Sequence, residues 1–229
     1  MVSARTPYII KKIYYSLIWD LYSSEKDLYL TFDDGPVPDI TLEVLDILET
    51  YNAKATFFCI GRNVERYPEI YNQILKKGHA AGNHTYSHLK GWKTKSNDYY
   101  SDIELAGSFI NSNLFRPPYG KIKRAQLKHL RYFYNIIMWD VMSFDFRKSI
   151  SKEKCLSIVL NNIRQGSIIV FHDSVKAREK VLYALPEVLK VMQDKGYTFK
   201  SIRLDKKTYP KINTDNRKKE NLHLCSYEK

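Results

Sequence analysis

Short apolar runs alternate with amphipathic stretches along the central part of the chain. The apolar runs are rich in β-branched and aromatic residues, which is typical of buried strands; they are 28–32, 55–60, 135–139, 167–171 and 197–202. The amphipathic stretches space their apolar residues as a helix does; they are 40–51, 67–77, 98–111, 123–134, 151–162 and 181–195. This alternation predicts an α/β fold with parallel strands, either a barrel or an open sheet.

The two ends of the chain differ in character from this central part. Residues 8–22 are apolar only in short pieces, because Lys11 and Lys12 interrupt them, and no small-residue cleavage site of a signal peptide follows. We interpret them as an amphipathic helix or irregular segment packed on the body, with weak membrane-surface association as the alternative. The end of the chain is polar. The predicted division is an N-terminal extension at 1–27, a single domain at 28–204 and a tail at 205–229.

Composition excludes several classes of protein. The 229 residues are 44% hydrophobic and 27% charged, as in ordinary globular domains, so the chain is not disordered throughout. No run approaches the roughly 20 apolar residues of a membrane span, which excludes a multi-span membrane protein. The three cysteines form no CxxC pair, so neither a disulfide framework nor a zinc ribbon is predicted.

The net charge of +12 bears on possible partners rather than on the fold. It would attract nucleic acid, an anionic membrane surface or an anionic polymer such as a charged glycan, although a basic, well-solvated surface explains it equally well. The Lys and Arg residues are spread along the whole chain, and neither a zinc finger nor an RNP-type aromatic motif is present. We therefore expect no nucleic-acid partner.

The ends of the predicted strands carry residues that can bind a metal ion. Asp33 and Asp34 directly follow the first strand, and adjacent carboxylates repel each other unless a cation or a proton separates them. His84 and His88 are four residues apart, which places both imidazoles on one face if the segment is helical. One carboxylate and two histidines suffice for zinc or a similar divalent ion. Taken singly, the aspartate pair is also explained by an Asp-Gly turn. The two histidines are also explained by a shared position on a polar surface.

Three further features lie later in the chain. The loop Arg116–Gly120 is made rigid by two prolines and a glycine, and its guanidinium could pair with one of the carboxylates. His172 directly follows the strand at 167–171, where a histidine is a candidate acid or base. The acidic and aromatic segment 139–146 follows the strand at 135–139.

In this order, the five features resemble the polysaccharide deacetylases of carbohydrate esterase family four, the NodB-homology group. The resemblance runs from Leu28 to Ile202. The motifs that carry it are Thr31-Phe32-Asp33-Asp34-Gly35, His84-Thr85-Tyr86-Ser87-His88, Arg116-Pro117-Pro118-Tyr119-Gly120, the segment 141–146, and Ile169-Val170-Phe171-His172-Asp173. The resemblance implies a distorted, incomplete (β/α) barrel with a groove across its top.

The resemblance also implies an activity and a metal site. The implied reaction is metal-dependent hydrolysis that removes acetyl groups from N-acetylated amino sugars of a poly- or oligosaccharide. The implied metal is zinc, with cobalt or nickel as alternatives, and its implied ligands are Asp34, His84 and His88. The implied partner is the acetylated glycan, and no obligate protein partner is expected.

The remaining site residues take their roles from the same resemblance. Asp33 is implied to be the catalytic base, oriented by Arg116, and His172 the general acid. The backbone N–H of Tyr119 is implied to help stabilise the oxyanion. Candidate residues for contact with sugar are Tyr119, Pro118, Trp92 and Phe146.

The fourth motif departs from the family pattern, which usually reads Asp-x-x-Asp-Trp. Met142 occupies the position of the first aspartate, which in the family tunes the acid histidine, and Phe146 replaces the tryptophan. Either Asp140 or Asp145 could take over the tuning. We therefore expect a lower pKa than usual for His172, a changed groove wall and a raised chance of ester substrates.

Three alternative functions remain at this point. An O-acetyl glycan esterase would use the same site, and a catalytically silent glycan-binding protein would keep the fold alone. An iron oxygenase also uses two histidines and one carboxylate, although usually on antiparallel folds. Localisation is open between the cytoplasm and the cell envelope of a bacterium.

Overall fold

One curled sheet of parallel strands organises the fold. The structure is a computed structural model that describes residues 4–22 and 25–205. The strands are β1 Asp27–Asp33, β2 Ala55–Cys59, β3 Ala80–Asn83, β4 Leu114–Phe115, β5 Asn135–Ile136, β6 Val141–Met142, β7 Ile168–His172 and β8 Thr198–Phe199. The helices are α1 Tyr8–Ile13, α2 Ile40–Thr50, α3 Gly61–Arg66, α4 Pro68–Lys76, α5 Ser96–Gly107, α6 Arg124–Leu130, α7 Lys152–Asn162 and α8 Arg178–Asp194. Two 3-10 turns occupy Gly91–Lys93 and Pro118–Gly120.

The strand order confirms the predicted fold class. The sheet runs β5-β4-β3-β2-β1-β7-β6, and every neighbouring pair is parallel. β8 pairs with the beginning of β1, also in parallel. The curled sheet with its helices is a half-barrel, which is the predicted distorted, incomplete (β/α) barrel.

The local hydrophobic pattern missed several short elements. β3 has the sequence AAGN, which lacks β-branched and aromatic residues, and β4 and β6 contain only two residues each. A strand this short shows no period along the sequence, and its neighbours in the sheet stabilise it. The sequence pattern did not predict helix α3 either. This helix has only six residues, directly after β2, which is too short to show a helical period.

Large aromatic side chains fill the core between the sheet and its helices. Phe32 is completely buried, and its ring lies 5.0 Å from that of Phe57 and 6.2 Å from that of Phe171. These residues come from three adjacent strands, so the stack ties the centre of the sheet together. Helices α2, α7 and α8 cover this side of the sheet with Val and Leu side chains.

The N-terminal segment bonds to both edges of the half-barrel. The N–H of Met142 in β6 donates to the carbonyl oxygen of Ala4, and the N–H of Met138, beyond β5, donates to that of Ile18. Leu17 and Trp19 are buried in the same cluster as Leu130. No helix of the described residues is long and apolar enough to cross a membrane. The division into extension, domain and tail stays a prediction, because residues 206–229 lie outside the described part.

A buried carboxylate fixes this segment to the sheet. Asp140 is completely buried and accepts hydrogen bonds from Lys11 and from the hydroxyl of Ser167 (2.6 Å). The guanidinium groups of Arg5 and Arg164 each lie 3.4 Å from it. Burial opposes ionisation, but these donors hold the pKa of Asp140 below its ordinary value.

We predict that Asp140→Ala destabilises the protein by about 3 kcal/mol, because it removes the buried partner of Lys11. The matched control is Asp46→Ala, whose exposed side chain lies 3.9 Å from Lys77, and we expect a much smaller loss there because water screens the pair. Urea denaturation of both variants measures the difference. Equal losses of unfolding free energy would contradict the structural role of Asp140.

Candidate metal centre and active site

The parallel register collects the candidate site residues at one edge of the sheet. Asp33, at the end of β1, is directly opposite His172, at the end of β7. β3 ends one residue before His84, and β4 ends one residue before Arg116. In folds with parallel strands this carboxyl-terminal edge is where chemistry is placed.

Arg116, which is completely buried, forms an ion pair with the largely buried Asp33. One terminal nitrogen of Arg116 donates to Asp33 Oδ1 (2.6 Å) and to Thr31 Oγ1 (2.8 Å). The other terminal nitrogen donates to the carbonyl oxygen of Met138 (2.9 Å), and Nε donates to that of Ile137 (3.2 Å). Every nitrogen of the guanidinium has a partner, which a buried charge requires. The predicted pairing of Arg116 with a carboxylate is present in the structure.

Asp34 faces a different set of neighbours from Asp33. Its φ of 85° takes the chain out of the strand, in a region that aspartate tolerates better than most residues. The side-chain amide of Asn63 donates to its carbonyl oxygen (2.8 Å) and fixes this turn. The two adjacent carboxylates are therefore separated, one towards Arg116 and the other towards the histidines.

Asp34, His84 and His88 can provide three ligands for one metal ion. Asp34 Oδ1 lies 3.2 Å from His88 Nε2 and 3.9 Å from His84 Nε2, and all three ligand atoms lie within 4.8 Å of one another. Ligands about 2.0 Å from zinc in a tetrahedron are about 3.3 Å apart, so the spacing suits such an ion. Among the described residues this is the one such cluster.

The protonation states also suit a divalent cation. Burial lowers the pKa of His84 to about 4, so the ring is neutral at pH 7. Its Nδ1 lies 2.8 Å from the carbonyl oxygen of Arg116, which can only accept, so Nδ1 carries the proton and Nε2 keeps its lone pair. Burial raises the pKa of Asp34, but the hydrogen bond with His88 and the positive charge of His172 bring it far below the ordinary value. The donor set fits a metal ion.

A loop, not a helix, brings the two histidines together. Thr85 and His88 both have positive φ, 64° and 57°, so this segment is not a helix. The two imidazoles are therefore not brought together by the four-residue spacing of a helix. Asn83 Oδ1 accepts a hydrogen bond from the N–H of Thr85 (2.8 Å). A carboxylate oxygen of Asp102 accepts one from the N–H of Tyr86 (2.9 Å). Hydrogen bonds from outside the loop thus replace those a helix would make.

His172 pairs with Asp145, and this corrects one expectation. His172 Nδ1 lies 2.8 Å from Asp145 Oδ1, while its backbone N–H donates to Oδ2 (2.7 Å). Burial lowers the pKa of His172, but the Asp145 carboxylate outweighs it and the pKa is raised to about 9. The expectation of a lower pKa, based on Met142, is wrong because Asp145 supplies the charge. Asp140, the other candidate, bonds Lys11 instead.

Exposed aromatic rings flank the centre. The Tyr119 ring lies 4.7 Å from that of His88, and the Phe146 ring lies 5.0 Å from that of His172. Both rings are partly exposed, at 57% and 37%. Trp92 lies against the chain that follows Tyr119, donating to the carbonyl oxygen of Ile122 (2.9 Å). Pro118, also predicted to contact sugar, is buried.

Comparison with known proteins identifies the family. The model of the family "Polysaccharide deacetylase" matches residues 21–133. A peptidoglycan-N-acetylglucosamine deacetylase of Bacillus cereus is 35% identical over 192 residues, which cover 80% of this chain and 90% of that protein. This chain belongs to the polysaccharide deacetylase family.

Solved structures agree with this membership. A crystal structure of the Bc1960 peptidoglycan N-acetylglucosamine deacetylase superposes with a TM-score of 0.79 at 32% identity, covering 86% of this chain and 95% of that one. A mutant of BA3943, described as a family pseudoenzyme with restored enzymatic activity, superposes with a TM-score of 0.70 at 26% identity, covering 81% and 69%. Family membership and the parallel sheet remove the iron-oxygenase alternative.

Asp173 is a site residue to which the sequence analysis gave no role. Its carboxylate accepts hydrogen bonds from the N–H of Gly35 (3.0 Å) and from Thr41 Oγ1 (2.7 Å). A Cβ at position 35 would lie only 1.9 Å from Asp173 Oδ2. Only glycine therefore allows the backbone at position 35 to lie this close to the Asp173 carboxylate. Asp173 thereby fixes the backbone directly after Asp34. Its position next to His172 in the fifth motif was the available signal.

We predict that Asp145→Asn lowers the pKa of His172 from about 9 to the ordinary histidine value of about 6.5 or below. The carboxylate that favours the protonated ring is lost, while the burial that disfavours it remains. Histidine side-chain NMR of the metal-free protein measures the titration.

The control for this titration is Asp46→Asn, at an exposed carboxylate of α2, which should leave the pKa of His172 unchanged. A His172 that still titrates near the wild-type value in Asp145→Asn would contradict the assigned pairing.

Proposed function

We propose that this chain is a metal-dependent deacetylase that removes acetyl groups from N-acetylated amino sugars, with peptidoglycan as the substrate. The observation that carries the proposal is the arrangement of two polar pairs around one cluster of metal ligands. The pairs are Asp33 with Arg116 and His172 with Asp145. Relatives in Bacillus cereus are peptidoglycan-N-acetylglucosamine deacetylases, which supports the choice of peptidoglycan.

Asp34, His84 and His88 would hold the metal, which we propose to be zinc; cobalt or nickel suits the same ligands. When bound, such an ion polarises a carbonyl group and acidifies a water molecule. Because Asp173 fixes the turn after Asp34 and the Arg116 carbonyl fixes His84, both ligands are held in place before the metal binds.

Asp33 is proposed to be the general base. Its ion pair with Arg116 occupies Oδ1, while Oδ2 can accept the proton of the attacking water. The fixed guanidinium keeps the carboxylate in one orientation. The backbone N–H of Tyr119, in the rigid turn Pro118–Gly120, is proposed to donate to the oxyanion that forms at the acetyl carbonyl oxygen.

His172 is proposed to be the general acid. An amine is a poor leaving group unless it is protonated, so cleavage of an amide needs an acid that carries its proton at neutral pH. Asp145 supports this by raising the pKa of His172 to about 9. The alcohol of an ester is a better leaving group than an amine, so cleavage of an ester has less need of the acid. The raised pKa therefore favours N-deacetylation over the O-acetyl esterase alternative.

A silent glycan-binding role is the second alternative, because the family includes proteins described as pseudoenzymes. Against it, the chain retains a carboxylate beside an arginine, three metal-ligating side chains and a charged histidine. We propose that Tyr119, Phe146 and Trp92 contact sugar rings around these residues, with Pro118 shaping the wall. A peptidoglycan substrate would locate the activity at the cell envelope of a bacterium.

The test is release of acetate by the zinc-loaded protein from N-acetylglucosamine oligomers, peptidoglycan fragments and O-acetylated xylan. We expect release from the two N-acetylated substrates to exceed release from the xylan, because His172 is charged. A chelator should abolish the release, and added zinc should restore it.

Release that persists after the metal has been removed would contradict metal dependence. Faster release from xylan would support the esterase alternative instead. If none of the substrates yields acetate from protein shown to contain metal, the silent glycan-binding role replaces the proposed one.

A further inference from the structure

Exposed large apolar side chains are concentrated in the N-terminal segment. Of the fourteen exposed large hydrophobic residues in the described part of the chain, six lie within residues 8–22. They include Ile9 and Ile13, exposed at 58% and 56%, and Tyr15, exposed at 85%. Single exposed apolar residues are normal on a protein surface, but a concentration of them in one short segment indicates a binding surface.

Packing of α1 fixes which of its side chains face outward. Ile10 packs against the buried cluster that contains Leu17 and Leu130. Ile9 and Ile13 are four residues apart and therefore lie on one face of the helix, away from that contact. Because Ile10 and the network of Asp140 and Lys11 hold the segment on the sheet, the outward face is held in position.

The apolar face of α1 continues into a basic face of α6. Ile13 and Tyr14 line one shallow groove together with Arg124, Leu127 and Lys128. Arg124 and Lys128 are exposed, as is Lys12 on α1. Isoleucine, tyrosine and basic side chains thus share one surface.

This surface has no acidic residues to neutralise it. Residues 121–132 contain five Lys or Arg and no Asp or Glu, and α1 contains two Lys and no acid. No carboxylate among the described residues forms an ion pair with Lys12, Arg124 or Lys128. The charges of Lys12, Arg124 and Lys128 are therefore available to an anionic partner.

We propose that this surface binds an anionic phospholipid bilayer. We call it the docking face and define it by Ile9, Lys12, Ile13, Arg124 and Lys128. Isoleucine and tyrosine enter the boundary between headgroups and acyl chains, while lysine and arginine pair with anionic headgroups. A soluble polyanion would meet the charges but would offer nothing apolar to the isoleucines.

Residues 206–229 contain seven Lys or Arg against three Asp or Glu, so their net charge has the same sign as that of the docking face. The proposal is independent of the deacetylase reaction, since no residue of the docking face belongs to the candidate active site.

Sedimentation of the full chain with lipid vesicles tests the proposal. We expect binding to vesicles of equal parts phosphatidylcholine and phosphatidylglycerol, much weaker binding to phosphatidylcholine alone, and release by high salt, which screens charges beyond about 3 Å at 1 M.

Two double variants separate the contributions of the docking face. Ile9→Ser with Ile13→Ser and Arg124→Glu with Lys128→Glu should each lower the partition coefficient by at least about tenfold, because both apolar burial and charge attraction are needed. The matched control is Leu75→Ser with Lys76→Glu on α4, where an exposed leucine precedes an exposed lysine. It should bind as the wild type does. Thermal melting checks that all variants are folded.

Two results would overturn the proposal. One is the absence of sedimentation with anionic vesicles by the wild-type protein. The other is vesicle binding that is lost in the charge variant but unchanged in the folded isoleucine variant, which would indicate a surface for soluble polyanions instead of a bilayer.

Discussion

The site depends on one buried ion pair, between Arg116 and Asp33. A completely buried guanidinium is stable only when each nitrogen has a partner, and here the partners come from β1 and from the chain after β5. The backbone N–H of Arg116 also bonds the carbonyl oxygen of Asn83, at the end of β3. Arg116 therefore links distant strands at the edge that carries the candidate site. Removing either charge would leave the other buried without a partner.

This ion pair also explains how two adjacent carboxylates can have different roles. Asp33 is neutralised by Arg116, whereas the positive φ of Asp34 directs it to His84 and His88. A third carboxylate, Asp145, pairs with His172 across the site. Asp33 has Arg116, Asp145 has His172, and Asp34 lies at the candidate metal site. The repulsion among the three carboxylates is therefore offset by a nearby cation or cation site. The same principle holds away from the site, where Asp140 is buried with Lys11.

Much of the fold and part of the candidate site could be predicted from the sequence, because Asp33, Asp34 and His172 directly follow the clear apolar runs 28–32 and 167–171. β3, β4 and β6 could not, since two to four residues carry no period. The partner of His172 could not be decided either. Phe144 has a φ of 57°, and this turn, not the strand register, brings Asp145 to His172. The role of Asp173 depends on a contact between residues 138 positions apart.

Asp33 and Asp34 are proposed to divide the roles of general base and metal ligand between them. Zinc affinity measured alongside turnover for Asp33→Asn and Asp34→Asn tests this division. We expect Asp33→Asn to keep the wild-type zinc affinity while losing at least about 100-fold in kcat, as removal of a general base does. Asp34→Asn should weaken zinc binding itself. Near-normal turnover by zinc-loaded Asp33→Asn, or equal loss of zinc affinity in both variants, would contradict this division.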